Sequence, residues 1–179
     1  DVKVDYVIDP ALCDGYNING AAIDVMPSNY YEVQNPNQFT IVSDQLLGGV
    51  KVKLTDAFFE DAKSWESGYV IPVKLTKAEG VSKILSGKDM TFYRVKFVNP
   101  WTATYLRKGK DVINGTETHR CFQYVEKAEV IKVVTKGLNK SQVTVAFKDA
   151  AGNAHNVDLL LTFNGDDCTI SSNTNGVEV

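Results

Sequence analysis

Glu60, Asp61 and Glu66 flank Trp65 within one short polar stretch, and paired carboxyl groups beside an aromatic ring form the residue set of glycoside hydrolysis. That reaction needs its two carboxyls held about 5 to 10 Å apart across a sugar cleft by a rigid scaffold. Carboxylates in a loop between strands usually serve solvation alone, so this set carries no catalytic assignment. His119 and Cys121 fall on one face of an alternating segment and could begin a metal site. Zinc, however, takes three or four ligands, and the other histidine, His155, lies in or beside a hairpin turn. Asn164-Gly165-Asp166-Asp167 resembles part of a calcium loop, but it lacks the spaced oxygens and distal Glu of an EF-hand and reads as a turn. No Gly-x-Ser-x-Gly, His-Glu-x-x-His or phosphate-cradling glycine loop occurs. The expectation is a protein with no catalytic residue, no metal site and no cofactor.

The aromatic residues offer a different chemistry. Sugars present flat C–H faces rimmed by hydroxyls, so exposed Trp or Tyr rings beside Asn, Asp or Arg make a glycan platform. Three groupings fit: Trp65 with Tyr69, Tyr30 with Tyr31, and Trp101 with Tyr105 and Arg107. Each also has a structural reading in which a ring plugs a core. Trp101, which follows a proline between two strand-rich halves, fits that reading best.

These residues must be positioned by strands. Val2, Val4, Tyr6 and Ile8 alternate with mostly polar partners, the period of a half-buried strand. Residues 10–17 read as a short helix, with Asp9 as N-cap, Pro10 at the first position and Asn19-Gly20 ending it. Strands are expected over 39–42, 50–54, 69–75 and 92–98, with Pro72 marking the third as an edge or irregular strand. Single helical turns are expected at 55–59 and 81–85. Residues 104–109 read as an aromatic, basic turn, and after it 121–125, 130–135, 142–147, 157–163 and 168–171 read as five strands joined by turns rich in Gly, Asn and Asp. This predicts an all-β chain: a β-sandwich over 1–98, then an antiparallel meander or partial barrel over 99–179.

Composition narrows the partners. Over 179 residues, 44% are hydrophobic, 23% charged, and the net charge is only -3, which argues against disorder and against an electrostatic nucleic-acid binder. No apolar run reaches the roughly 20 residues that span a bilayer. Cys13, Cys121 and Cys168 have no metal or redox spacing; small core cysteines, or one disulfide with a thiol left over, both remain open.

Read in order, Val7-Ile8-Asp9-Pro10-Ala11-Leu12, Met26-Pro27-Ser28-Asn29-Tyr30-Tyr31, Leu54-Thr55-Asp56-Ala57-Phe58-Phe59, Tyr69-Val70-Ile71-Pro72 and Ile84-Leu85-Ser86-Gly87-Lys88 form a known pattern. It resembles the uncharacterised N-terminal Ig-like module of Bacteroidetes outer-surface lipoproteins encoded in polysaccharide-utilisation loci, beside SusD-like proteins and glycan hydrolases. The second half, through Asn99-Pro100-Trp101, Tyr105-Leu106-Arg107-Lys108-Gly109, Tyr124-Val125-Glu126 and Leu159-Leu160-Leu161-Thr162-Phe163, resembles the domain that follows it in those proteins. The resemblance implies a secreted cell-surface protein held at the outer membrane by a lipid anchor outside this chain, without catalysis. It also implies that the family pattern extends beyond both ends of the chain. Two functions follow as expectations: glycan binding in polysaccharide capture, with a glycan as ligand, or a structural or adhesive spacer contacting surface proteins. A sandwich short of a strand would further expose an edge to another chain, inviting an edge-strand dimer.

Overall fold

The computed structural model describes residues 1–113, 115–119, 124, 128–149 and 151–174. The chain forms two compact units, Asp1–Phe97 and Val98–Val179. Both are built of antiparallel strands, as the alternating patterns require, and among the described residues no helix is long and apolar enough to cross a membrane.

The first unit opens with β1 (Val2–Ile8), whose Val4 and Tyr6 are buried while their neighbours are not. Asp9 then caps a 3-10 turn at Pro10–Cys13, its side chain accepting from the Ala11 N–H. That turn is shorter than expected and stops where Asp14 becomes extended, leaving Tyr16 half exposed. Asn19-Gly20 does not end a helix. It joins β2 (Asn17–Ile18) to β3 (Ala21–Ala22), and the positive φ of Asn19 (53°) and Gly20 (81°) fits the two-residue hairpin turn that the right-handed strand twist favours.

A 3-10 turn at Ser28–Tyr30 leads to β4 (Tyr31–Val33), then β5 (Gln38–Ile41) and β6 (Val52–Leu54). The helices α1 (Asp56–Glu60) and α2 (Lys63–Glu66) follow, then β7 (Tyr69–Ala78) and β8 (Met90–Val95). Between α2 and β7 the Gly68 N–H caps the Lys63 carbonyl; a Cβ there would lie 2.6 Å from the Val95 carbonyl oxygen, and its φ of +76° suits glycine. Residues 81–85 are irregular rather than a helical turn, bending at Val81 and Ser82, with Val81 and Leu85 exposed.

The main sheet has the order β5-β1-β7-β8, so β7 is central rather than the edge strand that is one of the two readings of Pro72; the other, an irregular strand, fits its pairing with β1, whose register shifts between Asp5 and Tyr6. The proline is tolerated for a local reason. Val70 exchanges hydrogen bonds with Asp24 and Met26 on the β1 side of β7, and two residues on, the Pro72 nitrogen faces that same side. The β1 ladder ends at Ile8, opposite Val73, so Pro72 sits where one neighbour stops and the next begins and no N–H is required of it.

Across from this sheet lies the β4-β6 pair, with Val33, Val52 and Leu54 turned toward it. The closed core lies at the helical end. There Phe58, fully buried, packs with Met26, Tyr69 and Ile71 and touches Phe59 edge-on at 5.3 Å.

The second unit is a meander in the order β15-β14-β13-β12-β9, from β9 (Ala103–Arg107), β12 (Glu129–Thr135), β13 (Lys140–Lys148), β14 (Ala154–Asn164) and β15 (Asp167–Ser172). The hairpin β10 (Lys110–Ile113) with β11 (Thr116–His119) stands apart as a two-stranded sheet. Residues 104–107, read as a turn, are strand β9, paired with β12 from Ala103↔Val133 to Arg107↔Glu129. Of the strand expected at 121–125, all but Tyr124, which lies in a bend, falls outside the described residues. Asn99 anchors the β12–β13 turn from within: its Nδ2 donates to the Gly137 and Lys140 carbonyls at 3.2 and 2.8 Å and to Ser141 Oγ at 2.9 Å. Cys13 is buried and Cys168 exposed, both as free thiols, so Cys168 departs from the core reading.

Candidate functional site

The inward face of the main sheet is set by register. Tyr6 opposes Leu75, Ile8 opposes Val73, and Ile71 opposes Tyr93, so these side chains share one surface. At the helical end α1 covers that surface. Away from it the surface stays open as an apolar groove of about 570 Å³. The opposite wall comes from Val33 of β4 with Val52 and Leu54 of β6, again paired so that they face inward. Lys88, Asp89 and Thr91 line part of the groove, and Tyr93 lies in it at the outermost strand, 58% exposed. The volume is in the range of ligand sites, and the lining is that of a protein interior.

Two features adjoin the groove. The first is a free strand edge. Lys51 O accepts from Gln34 N and Thr55 N donates to Tyr30 O, so residues of this parity face β4. The N–H and C=O groups of Val52 and Leu54 therefore point the other way, where no strand pairs with β6 among the described residues. The second is the loop from Ser43 to Gly49, whose Gly48 and Gly49 line the groove while Leu46 and Leu47 stand 97% and 83% exposed.

The aromatic residues named from the sequence regroup. Tyr30 and Tyr69 meet, their rings edge-to-face at 5.5 Å, and both hydroxyls donate to Asp61 Oδ2, Tyr30 at 2.9 Å. Asp61 Oδ1 also accepts from the Lys63 N–H at 3.0 Å, which ties the α1–α2 corner to the start of β7. The Tyr69 hydroxyl, then the Lys63 N–H, hold the Asp61 carboxyl below the usual carboxylate range. Burial first, then Asp61, pushes the Tyr69 phenol up. Asp61 is thus committed to two phenols, and Tyr69 is buried in the core rather than shared with Trp65 in a surface platform. Tyr31 is half-buried against the same core, and Trp65 is half-buried on α2.

In the second unit Trp101 lies flat on Phe163, with ring centres 4.0 Å apart and planes 3° from parallel. The Tyr105 hydroxyl donates to the Trp101 carbonyl at 2.9 Å, and Arg107 pairs across the strands with Glu129 at 3.2 Å. Tyr105 keeps 42% of its surface exposed. His155 bonds Asp149 at 2.8 Å beside the β13–β14 turn, while Cys121 lies outside the described residues. Among the described residues no three His, Cys, Asp or Glu side chains group as metal ligands.

Fold and groove together define an all-β chain of two units, the first an open, sandwich-like domain. Residues 1–82 match a family model described as an N-terminal domain, and residues 100–179 match a domain of unknown function, DUF5627. A crystal structure of a protein of unknown function from Bacteroides ovatus matches 99% of this chain at 30% identity, with a TM-score of 0.86. This chain spans 64% of that one. No curated protein matches the sequence. The chain is thus similar, over nearly its whole length, to uncharacterised domains and to a Bacteroides ovatus protein of unknown function.

The groove was not among the site residues expected from the sequence. Its lining runs from Tyr6 to Val95, and most of it reads locally as ordinary inward-facing strand residues, joined by loop residues such as Gly48, Gly49 and Asp89.

Proposed function

We propose that the chain is a non-catalytic module that docks another polypeptide, the structural or adhesive role, through the groove of its first unit. The single observation that carries this reading is the apolar groove lying beside the unpaired edge of β6. An apolar lining with few polar groups suits protein side chains better than the hydroxyl rim of a sugar. Several rings suited to a glycan are meanwhile engaged within the fold: Tyr30 and Tyr69 on Asp61, and Trp101 on Phe163. We further propose a cell-surface setting at the outer membrane, as an accessory to polysaccharide capture; the family resemblance and the Bacteroides ovatus relative support it.

Glycan binding is the second reading, favoured by Tyr105, exposed beside Trp101 and on the same strand as Arg107. Panning a random-peptide display library and a broad glycan panel against the same protein separates the two. Docking predicts enriched peptides whose binding is lost on Val52→Asp, which puts a charge into the groove. Glycan retention that falls on Tyr105→Ala, with no peptide enriched, would refute docking and support the second reading.

A further inference from the structure

Docking at this groove, if the reading above holds, leaves open what kind of polypeptide segment the groove takes. The geometry points to one occupant: we propose a single extended β-strand of a partner protein, added to the free edge of β6, with apolar side chains alternating with acidic ones. Three observations select it. The outward-facing N–H and C=O groups of Val52 and Leu54 are spaced to accept a strand, and no pairing partner satisfies them among the described residues. A strand laid there directs every second side chain into the groove over Ile71 and Val73, which fixes the apolar half of the pattern.

Charge complementarity fixes the other half. Lys51 and Lys53 alternate with the inward Val52, so they stand on the outer face, both exposed, and neither forms an ion pair among the described residues. A strand beside β6 would bring its own outward side chains next to these two cations, where acidic residues are favoured and basic ones opposed. The exposed Leu46-Leu47 tip on the loop lining the groove extends the apolar surface available to such a partner.

The test uses a fluorescein-labelled heptapeptide of alternating valine and glutamate, with a valine–lysine heptapeptide and a centrally proline-substituted valine–glutamate heptapeptide as comparisons, titrated by fluorescence anisotropy. The valine–glutamate peptide should bind the whole chain at least about tenfold more tightly than either comparison. Val52→Pro removes one free-edge N–H without touching the bonds to β4, and should weaken binding about tenfold. Lys51→Glu with Lys53→Glu leaves the backbone alone and should transfer the preference to the valine–lysine peptide. Equal binding of the three peptides, no binding at all, or indifference to both variants would overturn the proposal. So would a self-associated chain in sedimentation that excludes the peptide, since a second copy would then be the occupant. Library peptides that need Val52 but show no apolar–acidic alternation would sink this inference while leaving docking intact.

Discussion

Replacing Tyr69 by Phe isolates the bond that ties the helical corner to the central strand. The ring stays in the core, where only 8% of Tyr69 is exposed, so burial is nearly unchanged and the hydroxyl alone is lost. A hydrogen bond to a charged group contributes about 1.5 to 3 kcal/mol. Asp61 is partly exposed and keeps the Tyr30 hydroxyl and the Lys63 N–H, so water replaces part of the loss and about 1 to 2 kcal/mol is expected at neutral pH. The pH dependence gives a second handle. The Asp61 carboxyl is held low in the folded state, chiefly by Tyr69, so its contribution is present above the unfolded value of about 3.9 and is lost as pH falls through the lower folded value. The gap between wild type and Tyr69→Phe should therefore be full near pH 7 and close in stronger acid. Urea unfolding in a Trp101→Phe background, read through Trp65 fluorescence, reports the first unit alone. With a urea slope of about 1 to 3 kcal/mol/M, the midpoint should fall by roughly 0.3 to 2 M. A midpoint unchanged at neutral pH, or a gap equally large in acid, would refute the assigned role of the Tyr69–Asp61 bond.

Two further outcomes are expected in the second unit. Asn99→Ala removes the donor to the Gly137 and Lys140 carbonyls and to Ser141, and should cost about 3 kcal/mol in urea unfolding followed through Trp101; Asn99→Asp, lacking the N–H groups, should not restore it. At the β13–β14 turn, His155 and then Asn153 hold the Asp149 carboxyl well below its usual range, so the turn's carboxylate bonds should persist down to about pH 4 and fail only in stronger acid. The amide signals of Ala151 and Asn153, which donate to Asp149, should hold steady by NMR to that point and shift below it, and in Asp149→Asn they should already be displaced at neutral pH.

Strands with clean alternation were legible because burial on one face writes itself into the sequence with period two. Val2–Ile8 and Lys140–Lys148 show this. What failed was context. Asn19-Gly20 closes a hairpin too short to show alternation, and Thr104 to Arg107 hides a strand because its Tyr and Arg resemble turn decoration. Pro72 suggested an edge because the sequence cannot say which side of a strand its nitrogen will face. The site was less legible still. Tyr30, Asp61 and Tyr69 are dispersed along the chain, so their meeting depends on tertiary packing, and a groove is an absence in the facing layer that no residue encodes.

Pro72 has a wider role than tolerance of its ring. A chain sliding along β7 by two residues would set a neighbouring carbonyl against a nitrogen with no hydrogen to give. The proline therefore acts as a stop: it marks the place where Ile8 must let go and lets the segment around Val25 take over, so the central strand is shared between two neighbours in a single alignment.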